Sequence, residues 1–425
     1  MNILISDVLA VLPEGVKVCS VGIENGVITS VGDTPQGFRA DKTISGTGKM
    51  LIPGFVNAHT HVYMTVFRNC ADDLTFNDWL FGRILPMEDK LTAEDCYWST
   101  LLGFMEMLST GTTAYNDIYI FTDASARAAR DTGMRAVLSR GLTGGADDPA
   151  GGERRLREAA DEIEKWKGND NITFMLAPHA PYTCDPGYQK EVAGEAKRLG
   201  VGIHTHVAES ANEMETIRVK YGCTPPELFH RNGILTGNTV AAHGVYLTDS
   251  DIALMAARGV SLATNPVSNL KLANGVAPVP KLLNAGVNVA LGTDGAASNN
   301  TLNMFRDLGL LTVLHKGMTG DPQAVTARQG FDIATKNGAK ALGLGKVGEI
   351  KKGYRADLAI LDLDRPNIQP LNDPIAALCY SAGGSEVETV MVGGKILMEN
   401  REFTTIDRDK VIYEVNKVCE RISTR

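Results

Sequence analysis

Residues 238–266 read NTVAAHGVYLTDSDIALMAARGVSLATNP, and their grammar decides the fold. An apolar run over 239–242 ends at His243-Gly244, SDIALMAARG has helical spacing, and a second apolar run, GVSLATNP, follows. Strand, helix and strand, with polar or Gly-rich residues at each strand end, is the pattern of a parallel barrel or a doubly wound sheet. Outward from this stretch the same pattern recurs in NITFMLAPHA (171–180), GVGIHTHVAE (200–209) and GVNVALGTDG (286–295), with VPKLLNAG (279–286) as another helical segment.

Both ends of the chain differ from this centre. KVCSVGIENGVITSVGD (17–33) pairs two strand-like runs through Asn25-Gly26, a strong hairpin signal. Strand-and-turn style returns in GEIKKGYRADLAILDLD (348–364) and in VETVMVGGKILMEN (387–400), where Val392-Gly393-Gly394-Lys395 reads as a tight turn. Two β-rich ends around a βα centre point to one small discontinuous β-domain, residues 1–55 and 348–425, around a barrel of residues 56–347. Residues 407–425 read as a closing amphipathic helix.

Composition excludes several functions before any motif is read. The 425 residues carry 42 Lys and Arg against 50 Asp and Glu, a formal charge of −8, which removes the electrostatic basis for binding nucleic acid. A 44% apolar and 22% charged content is ordinary for a globular chain and argues against long disorder. Seven dispersed cysteines without a C-x-x-C pair read as reduced thiols rather than a disulfide framework. The N-terminus lacks a basic region before its apolar run, and no stretch approaches the 18 apolar residues of a membrane span, so a cytoplasmic protein without membrane contact is expected.

Chemistry concentrates at the strand ends. In PGFVNAHTHVYM (53–64), His59 and His61 lie two apart on an extended segment and share a face, an arrangement suited to a divalent metal. GIHTHVAES (202–210) repeats the alternation with His204 and His206, and Glu209 follows just past the strand, where metal-assisted hydrolysis needs a carboxylate. His206 is nearer the strand's C-terminal end, where barrel active sites sit, and His204 fits a buried hydrogen-bonding role better. In VALGTDGAASNN (289–300) Asp294 ends an apolar strand and opens a Gly-flanked loop, and His243 ends the strand of the opening quotation. Singly, these residues also fit hydrogen-bonded strand histidines or a turn aspartate. Together they are harder to dismiss, because five of only eight histidines, His59, His61, His179, His206 and His243, fall at strand ends.

The ordered set PGFVNAHTH, APHAPYTC, HTHVAE, AAHG and GTDGAASNN resembles the amidohydrolase superfamily, and within it the methylthioadenosine/S-adenosylhomocysteine deaminase and chlorohydrolase group. The similarity runs over nearly the whole chain. It implies an α/β fold, a (β/α)8 TIM-like barrel with a small β-sandwich domain built from both termini. It implies one divalent metal, zinc or in some relatives iron, on His59, His61, His206 and Asp294, with Glu209, His243 and Asp294 moving protons. NITFMLAPHA lacks the lysine of two-metal branches, which supports a single metal.

In FNDWLFGRILPMEDKLT (76–92), the resemblance places Trp79 beside a bound nucleoside and Glu88 on its ribose hydroxyls, a diol to which a carboxylate offers two acceptors. It adds His179 at the purine–ribose unit and Ser298 as a pocket hydroxyl. Arg140, and Arg154 or Arg155, have guanidinium forks that suit a homocysteine carboxylate, with surface charge as the favoured reading of Arg154 and Arg155. The implied reaction is hydrolytic deamination of a 6-aminopurine nucleoside by a homo-oligomer. Competing expectations are action on another heterocycle, such as guanine or an s-triazine, and a non-catalytic scaffold of the same fold.

Overall fold

The computed structural model describes residues 1–423. Five strands open the chain: β1 (Ile3–Leu12), β2 (Gly15–Glu24), β3 (Val27–Gly32), β4 (Lys42–Ser45) and β5 (Lys49–Pro53). Eight follow: β6 (Phe55–Thr60), β7 (Thr112–Tyr119), β8 (Arg135–Leu142), β9 (Ile172–Pro178), β10 (Gly202–Val207), β11 (Thr239–His243), β12 (Ser261–Thr264) and β13 (Asn288–Leu291). Four close the set: β14 (Leu358–Asp362), β15 (Val387–Val392), β16 (Lys395–Glu399) and β17 (Glu402–Phe403).

β6 to β13 pair in chain order, every pair parallel, with helices between them. Both faces of such a sheet are covered, so β6, β7, β11 and β12 are buried along their whole length. Small residues drawn from around the barrel, including Ala58, Ala114, Val240, Ala263 and Ala290, pack into one cluster. The last strand is tied back to the first beyond its end: Thr293 N donates to Asn57 Oδ1 (3.1 Å), Asn57 Nδ2 donates to Thr293 Oγ1 (2.7 Å), and Asp294 N donates to His59 O (3.0 Å). Gly292 permits this seam, because a Cβ there would lie 2.7 Å from His59 O and 2.3 Å from Asn265 Oδ1.

The other nine strands form one sheet in the order β17-β16-β15-β14-β5-β1-β2-β3, with β4 beside β1, so strands from both ends of the chain share it. Asn25 and Gly26 both take left-handed φ (51° and 78°), as do Gly393 and Gly394 (54° and 72°), the type I′ geometry that tight hairpins require. The two turns touch: a Cβ on Gly26 would stand 2.3 Å from Gly393 O. This sheet is bolted to the barrel by a buried ion pair, Arg135 Nε donating to Asp357 Oδ2 at 2.5 Å and Nη2 to Oδ1 at 3.0 Å. The terminal helix Arg408–Ser423 buries Val411, Val415, Val418 and Ile422 and packs against helix Ala93–Ser109. Residues 424 and 425 of the expected closing helix lie outside the described residues. Among the described residues no helix is long and apolar enough to cross a membrane.

Candidate active site

At the C-terminal ends of the barrel strands, five imidazoles and one carboxylate converge. His59 comes from the end of β6, His61 from just past it, His179 from just past β9, His206 from β10, His243 from the last residue of β11, and Asp294 from the loop after β13. Rings of His61 and His206 stack 5.4 Å apart, and those of His206 and His243 5.5 Å apart. Three backbone positions here are left-handed without being glycine: Ala208 (φ 51°), His243 (φ 74°) and Asp294 (φ 60°). Such conformations persist where the surroundings enforce them, and they mark functional loops more than ordinary turns.

Whether a metal fits follows from the tautomers. His61 Nδ1 lies 2.7 Å from Ile118 O, and His206 Nδ1 lies 2.7 Å from His179 O. A carbonyl only accepts, so each Nδ1 carries the proton and each Nε2 a lone pair. Those two Nε2 atoms are 3.4 Å apart. His59 Nδ1 is 2.8 Å from His204 Nε2, while its own Nε2 is buried without a hydrogen-bond partner. Asp294 Oδ1 faces the same point, 3.2 Å from His61 Nε2 and 3.4 Å from His59 Nε2. Converging lone pairs beside a carboxylate repel one another unless a cation lies among them. Burial keeps His59 at about 3 and His206 well below the usual imidazole range. Against the same burial, Asp294 lifts His61 to about 9, so that without a cation in the site a proton on His61 Nε2 takes the place that a metal would fill. Three imidazole nitrogens and one carboxylate oxygen, with each Nδ1 anchored behind, fit a divalent ion such as zinc. His204 stands behind His59 as its hydrogen-bond partner rather than facing the centre.

Two further groups are set to move protons. His243 Nδ1 lies 2.8 Å from Asn269 Oδ1 and 3.3 Å from Asn265 Nδ2, and the two amides fix the ring in the site. Glu209 is buried, and burial raises its carboxyl pKa against the opposing pull of His243; Asn274 Nδ2 donates to it at 3.3 Å. Burial opposes ionisation of Asp294 too, but its contacts with His59 and His61 hold it well below the usual carboxylate range. Its second oxygen accepts from Ser268 Oγ (2.6 Å) and Ser298 Oγ (2.8 Å). Ser298, expected as a pocket hydroxyl, is thus turned onto Asp294 and does not line the cavity.

Above this floor opens a cavity of about 450 Å³. Trp79, Glu88, Arg140 and His179 line it, together with Arg154, Arg155 and the apolar Phe76, Leu80, Phe81 and Leu85. Trp79 Nε1 donates to Ala297 O (3.2 Å), fixing the indole at the rim. Burial pushes Glu88 up to about 8, and Tyr119 Oη donates to it. Burial lowers His179 to about 4, so its ring is neutral. Arg140 donates to Glu158 Oε2 and to Ile120 O, both at 2.5 Å, while Arg154 shares the other Glu158 oxygen at 3.8 Å and Arg155 is paired with Asp148 at 2.6 Å. Sequence reasoning missed Tyr119, Asn269, Ser268 and Glu158. The polar run after β12, Asn265 to Asn269, was the one visible signal for two of them, being a strand end like the others.

Comparison with known proteins gives a consistent picture. The pattern of the amidohydrolase family matches residues 50–397. The chain is 44% identical over 428 residues, 99% of each chain, to the 5-methylthioadenosine/S-adenosylhomocysteine deaminase of Caldanaerobacter subterraneus subsp. tengcongensis. Its fold superposes on the zinc-bound adenosine deaminase of Xanthomonas campestris with a TM-score of 0.95, 35% identity and coverage of 100% and 99%. The zinc-complexed atrazine chlorohydrolase of Arthrobacter aurescens TC1 has the same fold, with a TM-score of 0.92, 24% identity and coverage of 98% and 100%.

Proposed function

The chain belongs to the amidohydrolase family, and from that premise we propose that it hydrolyses the 6-amino group of adenosine-type nucleosides, releasing ammonia and the inosine analogue. The single observation that carries this is the placing of Glu88 and a mostly apolar wall above the converging His59, His61, His206 and Asp294. Methylthioadenosine, S-adenosylhomocysteine, adenosine and 5′-deoxyadenosine share the purine and the ribose that such a cavity would recognise.

His59, His61, His206 and Asp294 would hold one divalent metal, most simply zinc. When bound, it supplies a polarised water of lowered pKa. His243, its ring fixed by Asn269 and Asn265, accepts a proton from the attacking water. Glu209, whose carboxyl burial biases toward the protonated form, donates to the purine ring nitrogen as the water oxygen bonds to the adjacent amine-bearing carbon. Asp294, oriented by Ser268 and Ser298, relays the proton of the newly formed hydroxyl to the departing amine, and the proton held by His243 returns to Glu209. The carbon–nitrogen bond breaks, a carbonyl remains, and one water is consumed per ammonia.

Glu88 would accept from both ribose hydroxyls, with Trp79 and His179 bracketing the nucleoside. Arg140, Arg154 and Arg155 all border the cavity, and each already has a carboxylate partner. A methylthio group therefore meets an apolar wall, whereas a homocysteine carboxylate competes with Glu158. We also take residues 1–55 with 348–425 and residues 56–347 as the two domains of a cytoplasmic homo-oligomer.

The deciding experiment is an ammonia-release screen of zinc-loaded enzyme over adenosine, methylthioadenosine, S-adenosylhomocysteine, 5′-deoxyadenosine, guanine and triazines. Turnover confined to the nucleosides supports the reading, and no ammonia from any of them defeats it. Metal analysis separates the scaffold alternative, since a folded sample unable to bind about one zinc or iron per chain would have no chemistry to perform.

A further inference from the structure

Glu213 is a buried carboxylate that none of the proton transfers above uses. It stands in the first turn of helix Ala211–Tyr221 and is 2% exposed. Both its oxygens accept from consecutive peptide groups, Oε1 from Ala208 N at 2.7 Å and Oε2 from Glu209 N at 2.9 Å. Successive N–H groups aimed at one point make an anion-binding nest, and here the acceptor is a carboxyl of the chain itself, which burial pushes up to about 7 against the pull of the two N–H groups.

Ala208, inside this nest, is fully buried and holds a left-handed φ of 51°. The carbonyl side of the same segment is held as well: Val207 O accepts from Gly244 N (3.0 Å) and Ala208 O from Tyr246 N (2.9 Å). Glu209's own carboxyl is anchored far less. Among the described residues its side-chain hydrogen bond is the 3.3 Å contact from Asn274, with His243 Nδ1 3.8 Å away. The aim of Glu209 is thus set by the backbone from which its side chain springs, and Glu213 grips the two successive peptides that lead into it, 207–208 and 208–209, each at its nitrogen.

We propose that Glu213 is a positioning residue for the deamination, holding the 208–209 peptide so that the Glu209 carboxyl points at the substrate ring. The inference rests on the reading of Glu209 as the proton donor. Glu213→Gln preserves size but turns an amide N–H toward a peptide N–H. In metal-loaded enzyme, kcat for methylthioadenosine should fall about 10- to 100-fold, the scale of a misplacement near 1 Å. KM should stay within about threefold and metal content should match wild type, since neither the diol contact nor the ligands are touched. The pH profile of kcat should shift, because the displaced Glu209 titrates in new surroundings. A merely structural residue would reduce the folded fraction while leaving kcat per metal-replete site and the pH profile unchanged, and that result overturns the proposal.

Should Glu213→Gln fail to fold, Glu213→Asp keeps the charge but is too short to reach both nitrogens, and the same split of kcat from KM decides. Wild-type enzyme inactive on every adenosine compound would defeat the functional reading rather than this one. In that event a crystal structure of the variant still decides: a rotated 208–209 peptide supports the clamp, and an unmoved Glu209 overturns it.

Discussion

The floor of the cavity hangs from the ends of barrel strands, whereas its wall is assembled from short helices and loops. On the floor, His59, His206 and His243 occupy or end a strand, and their backbones are pinned by strand pairing and by the seam between β13 and β6. On the wall, Trp79 and Glu88 belong to four-residue helices separated by a π-helical turn, Leu80–Ile84, and Arg154 and Arg155 ride on the separate helix Pro149–Trp166. Chemistry needs donor atoms fixed to within a fraction of an ångström, and strand ends supply that. Choice among substrates needs a surface that can differ from relative to relative, and loops supply that. The floor should therefore govern whether reaction occurs and the wall what reacts.

Breaking the floor gives the largest expected effect. Asp294→Asn removes a metal-facing charge and a proton carrier together, and leaves the Ser268 and Ser298 hydroxyls aimed at an amide. Turnover should drop by a factor of about 10³ or more, the scale of losing general acid–base assistance and electrostatic orientation at once. Ammonia release and metal content measured on one sample check it. Full metal occupancy with near-normal turnover would mean that the floor is not where the chemistry lies.

Breaking the wall at Glu88 should act on one substrate class alone. Glu88→Ala removes both acceptors offered to a diol, and kcat/KM for nucleosides should fall about 10- to 100-fold, the range for leaving buried polar groups unpaired. Any turnover of a free base should be untouched. Equal losses on both would assign Glu88 to the fold instead of the ribose.

A pH titration sharpens the same contrast with a smaller effect. Burial raises Glu88 to about 8, so in the free enzyme its carboxyl is protonated below that pH and ionised above it. Diol hydroxyls donate best to the ionised form, so kcat/KM for nucleosides should rise with pH up to about 8, by no more than about tenfold per unit. The plateau of kcat should move little, because binding itself favours ionisation. Glu88→Gln should flatten this limb; a limb that survives the substitution belongs to another group.

The same division explains what could be read from the sequence. A strand end is legible because an apolar run stops at a chemically distinctive residue, and five histidines stopping four such runs leave little freedom. The hairpin at Asn25-Gly26 is legible for a similar local reason, the left-handed φ that those residues tolerate. Glu88 and Trp79 carry no such periodic signature, and the family resemblance alone singled them out. Ser298 shows the limit of spacing: four residues past Asp294 it lies close to the site, but only the fold reveals that its hydroxyl turns inward to the carboxylate. Glu158 is invisible for a stronger reason. On the sequence it belongs to a charged helix face, and its partner Arg140 arrives from a different strand.

Glu158 also sets the finest test of the wall. One oxygen accepts from Arg140 and the other lies 3.8 Å from Arg154, so a single internal carboxylate occupies the two guanidiniums that a substrate carboxylate would seek. Its side chain is 42% exposed, and an ion pair so open to water is worth at most about 1 kcal/mol, roughly fivefold. Glu158→Gln should accordingly raise kcat/KM for S-adenosylhomocysteine relative to methylthioadenosine by about two- to fivefold at low salt, with the gain shrinking as salt screens the freed charges. Methylthioadenosine, which brings no carboxylate, should be turned over as by wild type. If both substrates change together, Glu158 supports the wall without selecting among its guests; if the ratio rises and then collapses in salt, the wall discriminates by charge at the far end of the substrate, a task separate from the chemistry of the floor.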